Sequence, residues 1–402
     1  MNILVISQFY FPEQFRITDI CENLVEKGNE VTVLTGLPNY PNGYIEKDYK
    51  WFRKRKEKIK GVNVIRCWEI GRRKGNFFRM LNYFSYAFSA SIRTIFMGKK
   101  YDVVYVYQLS PILMAIPGII YKKIYKKRLV LYCLDLWPES LKAGGLKESS
   151  KIYKIFAKIS DWIYKSVDEI LVTSKSFCEN LKSRTNKEIS YLPQYAESNL
   201  NLKVSNKKEN QVNLIFAGNI GKAQSIDTII KAAEIVQSKG NNIYFHIVGN
   251  GSELENCKKQ AEGLNNIKFY GQKNINEMQY FYNMADAMLV TLSDDTFSNM
   301  TLPGKVQACM KTGNPIIAAA NGETKMIIEE AQCGYAVNAE NSEELAEAIF
   351  KFYSLTNDET SKMEENSINY YKNNFEKEIV MERLLKKLKN EGEKELCLEE
   401  KH

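Results

Sequence analysis

The sequence predicts an α/β protein made of two doubly wound parallel-sheet, Rossmann-like domains, and three observations lead there. Short apolar runs bounded by turn residues alternate with helical-period segments, the mark of βα units around a parallel sheet. At 402 residues the chain is too long for one compact core and fits two domains of about 200 residues. A polar, patternless stretch, roughly Pro193 to Gln211, interrupts the alternation, which then restarts. The predicted units are therefore 1–195, 210–375, and a C-terminal helix and tail, 376–402, that returns to the first domain and frays at its end.

Asn2 to Ile6 reads as a buried strand, followed by the loop Ser7 to Glu13. Ile17 to Lys27 is an amphipathic helix closed by Gly28, and Glu30 to Leu34 is the next strand. This βαβ opening lacks the GxGxxG of dinucleotide enzymes, which counts against a nicotinamide cofactor. The turn-rich loop Gly36 to Gly43, with Asn39 and Tyr40 at its centre, follows a parallel strand, where open α/β sheets bind ligands.

Residues 76 to 98 are unusual. Phe77, Leu81, Phe84, Phe88, Ile92 and Ile95 fall on one helical stripe, with Arg72, Arg73, Lys74 and Arg93 in or beside it. A long core-facing helix and a monotopic helix dipping into an anionic bilayer both fit that pattern. Val103 to Tyr121 has no charge but contains Pro111 and Pro117, and reads as strand plus buried helix. Leu129 to Cys133 is a buried strand whose end delivers Asp135, Trp137 and Glu139; two carboxylates there suit a helix cap, catalysis or acceptor contact. A helix near Lys151 to Tyr164, a strand Glu169 to Thr173 and a helix Lys175 to Lys182 complete this half.

The second half repeats the plan. Strand Val212 to Phe216 leads into Gly218-Asn219-Ile220-Gly221-Lys222, and strand Asn242 to Val248 into Gly249-Asn250-Gly251. Glycine turns at two successive strand ends let backbone N–H groups approach a ligand. Further on, Pro303-Gly304 precedes a helix from Lys305 to Lys311, then strand Ile316 to Ala319, then the turn Asn321-Gly322 with Glu323 and Thr324. Two helix N-termini at one sheet edge suit a diphosphate, and Lys305 is placed to neutralise it.

Composition narrows the chemistry. With only His246 and His402 present, zinc sites and a Ser-His-Asp triad are close to excluded, and no DxD offers a carboxylate cage for a divalent metal. Eight cysteines without CxxC spacing argue for reduced thiols in a cytosolic protein, and no signal peptide is evident. Residues 1–200 hold 33 Lys and Arg against 19 Asp and Glu, whereas the rest holds 23 against 29. The basic excess points to an anionic partner: a membrane surface, nucleic acid or a diphosphate-bearing acceptor.

At QFYFPE, PNYPNG, DLWPES, FAGNIGKAQSIDT, VGNGSE, LPGKVQACMKTGNPI and NGET the chain resembles glycosyltransferase family 4, the retaining GT-B enzymes. More narrowly it resembles the bacterial branch that adds N-acetyl-fucosamine-type sugars in O-antigen, capsule or exopolysaccharide synthesis. The resemblance implies two domains facing a cleft and a UDP-sugar donor used without metal or other cofactor. It also implies a polyprenyl-diphosphate-linked acceptor, and a peripheral position on the inner face of the plasma membrane. Laid onto this sequence, it puts Gly218, Asn219 and Gly221 near the diphosphate and Gly249, Asn250 and Gly251 near the uridine. Lys305 and Lys222 would stabilise leaving UDP, helped by Pro303, Gly304, Gln307, Gly322, Glu323 and Thr324. Asp135 and Glu139 would face the acceptor, and Asn39, Tyr40, Arg72, Arg73, Phe77, Phe84 and Phe88 the acceptor or membrane.

Three features depart from the family pattern. Its paired glutamates fall at Met300 and Ala308, its Arg and Lys after the first strand of the second domain at Asn219 and Gln224, and its N-terminal histidine has no counterpart. These losses fit a branch rebuilt around Lys305 and Gln307, or a binder of nucleotide sugar that performs no transfer. A GT-B epimerase such as a UDP-sugar 2-epimerase is a further alternative, against which the scarcity of histidine and the aromatic-basic stretch at 72–100 speak. A nucleic-acid partner finds no RNA-binding motif to support it.

Overall fold

The computed structural model describes residues 1–391 except 52, 144, 197–198 and 205–210. Parts of the expected linker and the tail expected to fray, 392–402, lie outside the described residues. The chain divides into two units, Met1–Leu192 with the segment from Met381 onward, and Pro193–Val380.

The first unit holds β1 (Asn2–Ile6), β2 (Glu30–Thr35), β3 (Lys56–Ile59), β4 (Val62–Arg66), β5 (Val103–Gln108), β6 (Arg128–Cys133), β7 (Glu169–Val172) and β8 (Glu188–Tyr191). They form one sheet in the order β3-β4-β2-β1-β5-β6-β7-β8, parallel except for β3. Both faces are covered, so β1, β5 and β6 are near-continuous apolar runs with no alternation. The β3–β4 hairpin escapes the sequence reading because β3 is short, charged and largely solvent-facing, although Val62, Val64 and Arg66 of β4 are buried. Its two-residue turn, Lys60-Gly61, has both φ angles positive, and its lysines blunt a sheet edge. That accounts for part of the Arg53–Lys56 cluster without a ligand.

The second unit holds β9 (Val212–Ala217), β10 (Ile243–Val248), β11 (Ile267–Gly271), β12 (Ala287–Thr291), β13 (Ile316–Ala319) and β14 (Gly334–Val337). All pair in parallel, in the order β11-β10-β9-β12-β13-β14. Leu214 and Phe216 face one layer, with helices Ile226–Ser238 and Ser342–Tyr353; Ile215 faces the other, with Gly304–Thr312 and Asn357–Asn374. Strands β8 and β14 and the helices at 342–353 and 357–374 were not anticipated; the two strands are only four residues long.

Helix Lys377–Lys389 carries the chain back. Arg128 Nη1 donates to Lys387 O, and Lys387 Nζ pairs with Glu169 and Glu188 at 3.1 and 3.2 Å. Strand order reverses beside β1 and beside β9, so each sheet has its crevice at the strand ends where the singled-out loops lie. Among the described residues no helix is long and apolar enough to cross a membrane. Among the described residues six cysteines are buried free thiols, whereas Cys178 is disulfide-bonded, against the expectation of reduced thiols throughout.

Candidate functional site

In the second unit the two glycine turns interlock. Gly218 N–H donates to Val248 O at 2.9 Å, Gly249 N–H to Gly271 O at 2.9 Å, and Ile220 N–H to Asn250 O at 2.9 Å. Gly251 N–H donates to the Asn250 side chain at 2.8 Å. A Cβ on Gly249 would lie 1.8 Å from Gly218 O, and one on Gly251 would lie 2.2 Å from Ile220 O. The glycines are therefore required for turn-on-turn packing. This corrects the expectation that their amides await a ligand: those of Gly218, Gly249 and Gly251 are already bonded within the protein.

Lys305 lies against these turns, on the first turn of helix Gly304–Thr312. Its Nζ donates to Gln224 Oε1 and sits 4.1 Å from the centre of the Phe216 ring. A Cβ on Gly218 would come within 3.3 Å of that ammonium. No carboxylate pairs with Lys305 among the described residues, and burial lowers its pKa to about 7. Gln224, which sequence reasoning treated only as a departure, thus fixes the lysine, so a cation delivered from the later helix occupies the neighbourhood of the missing family one. Beside it Gln307 is buried, and its Oε1 has no hydrogen-bond partner among the described residues. Gly304 is open: nothing lies within 4 Å of an added Cβ.

The remaining predicted donor residues divide. Gly322 has φ +59°, and a Cβ there would meet Asn299 O at 2.0 Å, so this turn too is locked to its neighbour. Glu323 and Thr324 have buried side chains, and Thr324 Oγ1 donates to Thr301 O at 3.4 Å. Asn219 adjoins Gly221, where a Cβ would lie 2.8 Å from its Nδ2. Lys222 is exposed and shares a pocket of about 230 Å³ with Asp227, Glu253 and Glu340, surroundings that disfavour an anion. The structure therefore does not bring Lys222 to the Lys305 site.

In the first unit the loop after β2 is held by two buried carboxylates. Glu13 Oε1 accepts the N–H groups of Asn39 and Tyr40 at 2.9 and 2.7 Å, and burial raises its pKa to about 7. Glu69 accepts from Leu37 N–H at 3.0 Å, Asn39 Nδ2 at 2.7 Å and Gln8 Nε2 at 2.8 Å; burial raises its pKa well above the carboxylate range. Asn39 bridges the two, and its Oδ1 accepts Arg72 N–H at 3.0 Å. Only 2% exposed, Asn39 is an organiser of the loop, which corrects its assignment as an acceptor or membrane contact. Glu69 was missed; the signal was a lone carboxylate in a strongly basic stretch.

Arg72 fans out over the rings of Tyr40 and Tyr83, at 5.9 and 5.7 Å. Burial raises the pKa of the Tyr83 hydroxyl, with Arg72 opposing the rise and Asp135 adding to it. Burial raises the Asp135 pKa, opposed by hydrogen bonds from Ser110. Arg72, Tyr83 and Asp135 thus cluster at the ends of the central strands. Glu139 does not join them: Arg184 holds it at 3.1 Å and Asp161 at 2.7 Å, with the guanidinium over Tyr164. Its predicted catalytic place gives way to an ion pair that sequence spacing could not reveal.

Helix Asn76–Ile95 turns its apolar stripe outward. Phe77 is 71% exposed, Phe84 50% and Phe88 68%, while Tyr83, Tyr86 and Asn82 are buried. The core-facing alternative fails for these phenylalanines. Arg73, exposed, lies over Tyr44 and Phe78 at 5.8 and 5.5 Å.

Two reversing, mainly parallel sheets, with a cation and glycine turns at the crevice of the second, are the plan of the GT-B fold. The comparisons agree: residues 15–193 match the Glycosyltransferase Family 4 model, and residues 198–370 match Glycosyl transferases group 1. Each half of the chain thus matches a different glycosyltransferase model. The chain is 26% identical over 267 residues to probable glycosyltransferase WbjE of Pseudomonas aeruginosa, covering 62% of this chain and 65% of that protein, just under two thirds of its length. It is 24% identical to the putative colanic acid biosynthesis glycosyl transferase WcaI of Escherichia coli, covering 81% of this chain and 85% of that one. Among solved structures it is similar to sucrose-phosphate synthase from Thermosynechococcus elongatus, with TM-score 0.76, 15% identity and 97% and 98% of the chains covered. Anabaena HepE in complex with UDP and glucose gives TM-score 0.68 at 14% identity, with 96% and 99% covered.

Proposed function

We propose that the protein transfers an N-acetylated deoxyaminohexose from a UDP-sugar to a polyprenyl-diphosphate-linked saccharide, with retention, in bacterial surface-polysaccharide assembly. It would work peripherally on the inner face of the plasma membrane and need no metal. The observation that carries the reading is Lys305, a half-buried ammonium at a helix N-terminus with no carboxylate partner among the described residues. A bound diphosphate would return its pKa upward and be neutralised by it and the helix dipole. Gln224 would hold the lysine in place, and the free Gln307 oxygen would accept an N–H or O–H of the donor sugar. Asp135 and Arg72 would receive the acceptor, and the leaving phosphate would take the acceptor's proton. Support for a UDP-sugar and a surface polysaccharide comes from the UDP-bound HepE structures and from the name of WcaI. Exposed Phe84 and Phe88 support a lipid-linked acceptor.

UDP release from a panel of UDP-sugars, with and without a polyprenyl-diphosphate-sugar, tests this. Acceptor-dependent release from one N-acetylated donor is expected. Epimerisation of the donor, or UDP binding with no chemistry, would overturn it.

A further inference from the structure

Helix Asn76–Ile95 is not the only one with an outward apolar stripe. Helix Lys151–Ser166 buries Tyr153, Phe156, Ile163 and Tyr164, which satisfies the core. Its other side nonetheless carries Ile152 at 55% exposure, Ile155 at 56% and Trp162 at 43%, with Ile159 half-buried in the same row. Spacings of three, four and three residues place these on one stripe, flanked by exposed Lys151, Lys154, Lys158 and Lys165. Nothing among the described residues explains that stripe.

The two helices are joined by a third. Helix Ile116–Tyr125 packs against both, Tyr125 Oη donates to Ile95 O at 2.5 Å, and Lys123 Nζ stands 5.7 Å from the Trp162 ring. Ile124, 46% exposed, continues the apolar surface between them. At the end of this middle helix Lys122, Lys123, Lys126, Lys127 and Arg128 line an open concavity of about 510 Å³. Lys122 and Arg128 are paired with Asp168 and Glu169. Asp161 is the only carboxylate on the three helices, and Arg184 already holds it.

We infer that helices Asn76–Ile95 and Lys151–Ser166 form one footprint on an anionic bilayer, with Ile152, Ile155 and Trp162 at the acyl boundary and Lys123, Lys126 and Lys127 over the headgroups. Lysine among exposed Ile and Trp suits a lipid surface, where long stems reach up to phosphates. A protein interface would be depleted of lysine at its core. The inference rests on the membrane reading above and adds a second contact to it.

The test is flotation of the full chain with phosphatidylcholine vesicles, with and without phosphatidylglycerol. The variants are I155S/W162S, K154E/K158E and F84S/F88S, all changed at solvent-facing positions. Binding that needs phosphatidylglycerol, and that falls about tenfold or more in each variant, is expected, with the charge effect fading in salt. In a W51F/W68F background, brominated lipid should quench Trp162, since Trp137 is buried. That readout stands even where a double variant misfolds. If only F84S/F88S releases the protein and Trp162 is not quenched, the second contact is wrong and the membrane reading survives. If the unaltered chain ignores anionic vesicles, both fall. Self-association abolished by I155S/W162S, without vesicle binding, would assign the stripe to a second copy.

Discussion

The crevice loops of the two units handle charge in opposite ways. In the first unit, Glu13 and Glu69 are buried with backbone and amide donors around them, and Asn39 closes the network. In the second, Lys305 is held by a neutral amide and a ring, and Gln307 keeps a free oxygen. Each set keeps one orphan glutamine oxygen among the described residues, Gln8 Oε1 in the first and Gln307 Oε1 in the second, but only the second presents a half-buried cation with no carboxylate beside it. The contrast supports the proposal that an anion binds in the second unit, with the first as a preformed platform.

The strongest way to break this contrast is Lys305→Ala. It should lower kcat/KM about 10²–10³-fold, the loss typical of one preorganised donor at developing charge, with an unchanged circular dichroism spectrum. Activity within twofold would remove Lys305 from the leaving group. Because the free enzyme's lysine titrates at about 7, UDP affinity should weaken as pH rises through that value. Lys305→Arg should flatten the profile, as read by calorimetry.

Asn39→Ala should raise the acceptor KM about tenfold while leaving the donor KM unchanged, because its loss unties the loop from both carboxylates. An equal rise for both substrates would mean a general loss of fold. Glu13→Gln keeps the acceptor oxygen but removes the charge. The folded pKa of Glu13, about 7, exceeds the ordinary carboxyl value of 4.5, so the wild-type protein loses stability as pH rises from 4.5 through 7. The span is on the order of 3 kcal/mol, and the variant should unfold at higher temperature than wild type at pH 8 but not at pH 4.5. Equal pH slopes would show that Glu13 ionises freely. Smallest of all, Glu139→Gln should leave turnover within about twofold and lower stability by about 1 kcal/mol, since Arg184 keeps Asp161. A hundredfold loss would restore Glu139 to the site.

Much of this was legible in the chain. Buried parallel strands are apolar throughout, so β1, β5, β6, β9 and β13 announced themselves, and so did the turns that follow them. The interlocking of Gly218 with Gly249 was legible only as glycine, since the residue type shows close approach but not to what. The β3–β4 hairpin and β14 were hidden because short or charged edge strands carry little hydrophobic pattern.

By itself, then, the sequence determined two doubly wound α/β domains, the placement of Lys305 at a helix start, and the basic character of the first half. Those depend on local periodicity, turn chemistry and composition, which are properties of neighbours in the chain. Only the tertiary structure decided that Glu139 belongs to Arg184, that Asn39 binds Glu13 and Glu69, that Gln224 holds Lys305, and that the phenylalanines of helix Asn76–Ile95 face outward. Each of those turns on which distant side chains meet and which face of a helix finds a partner, and no spacing along the chain encodes it.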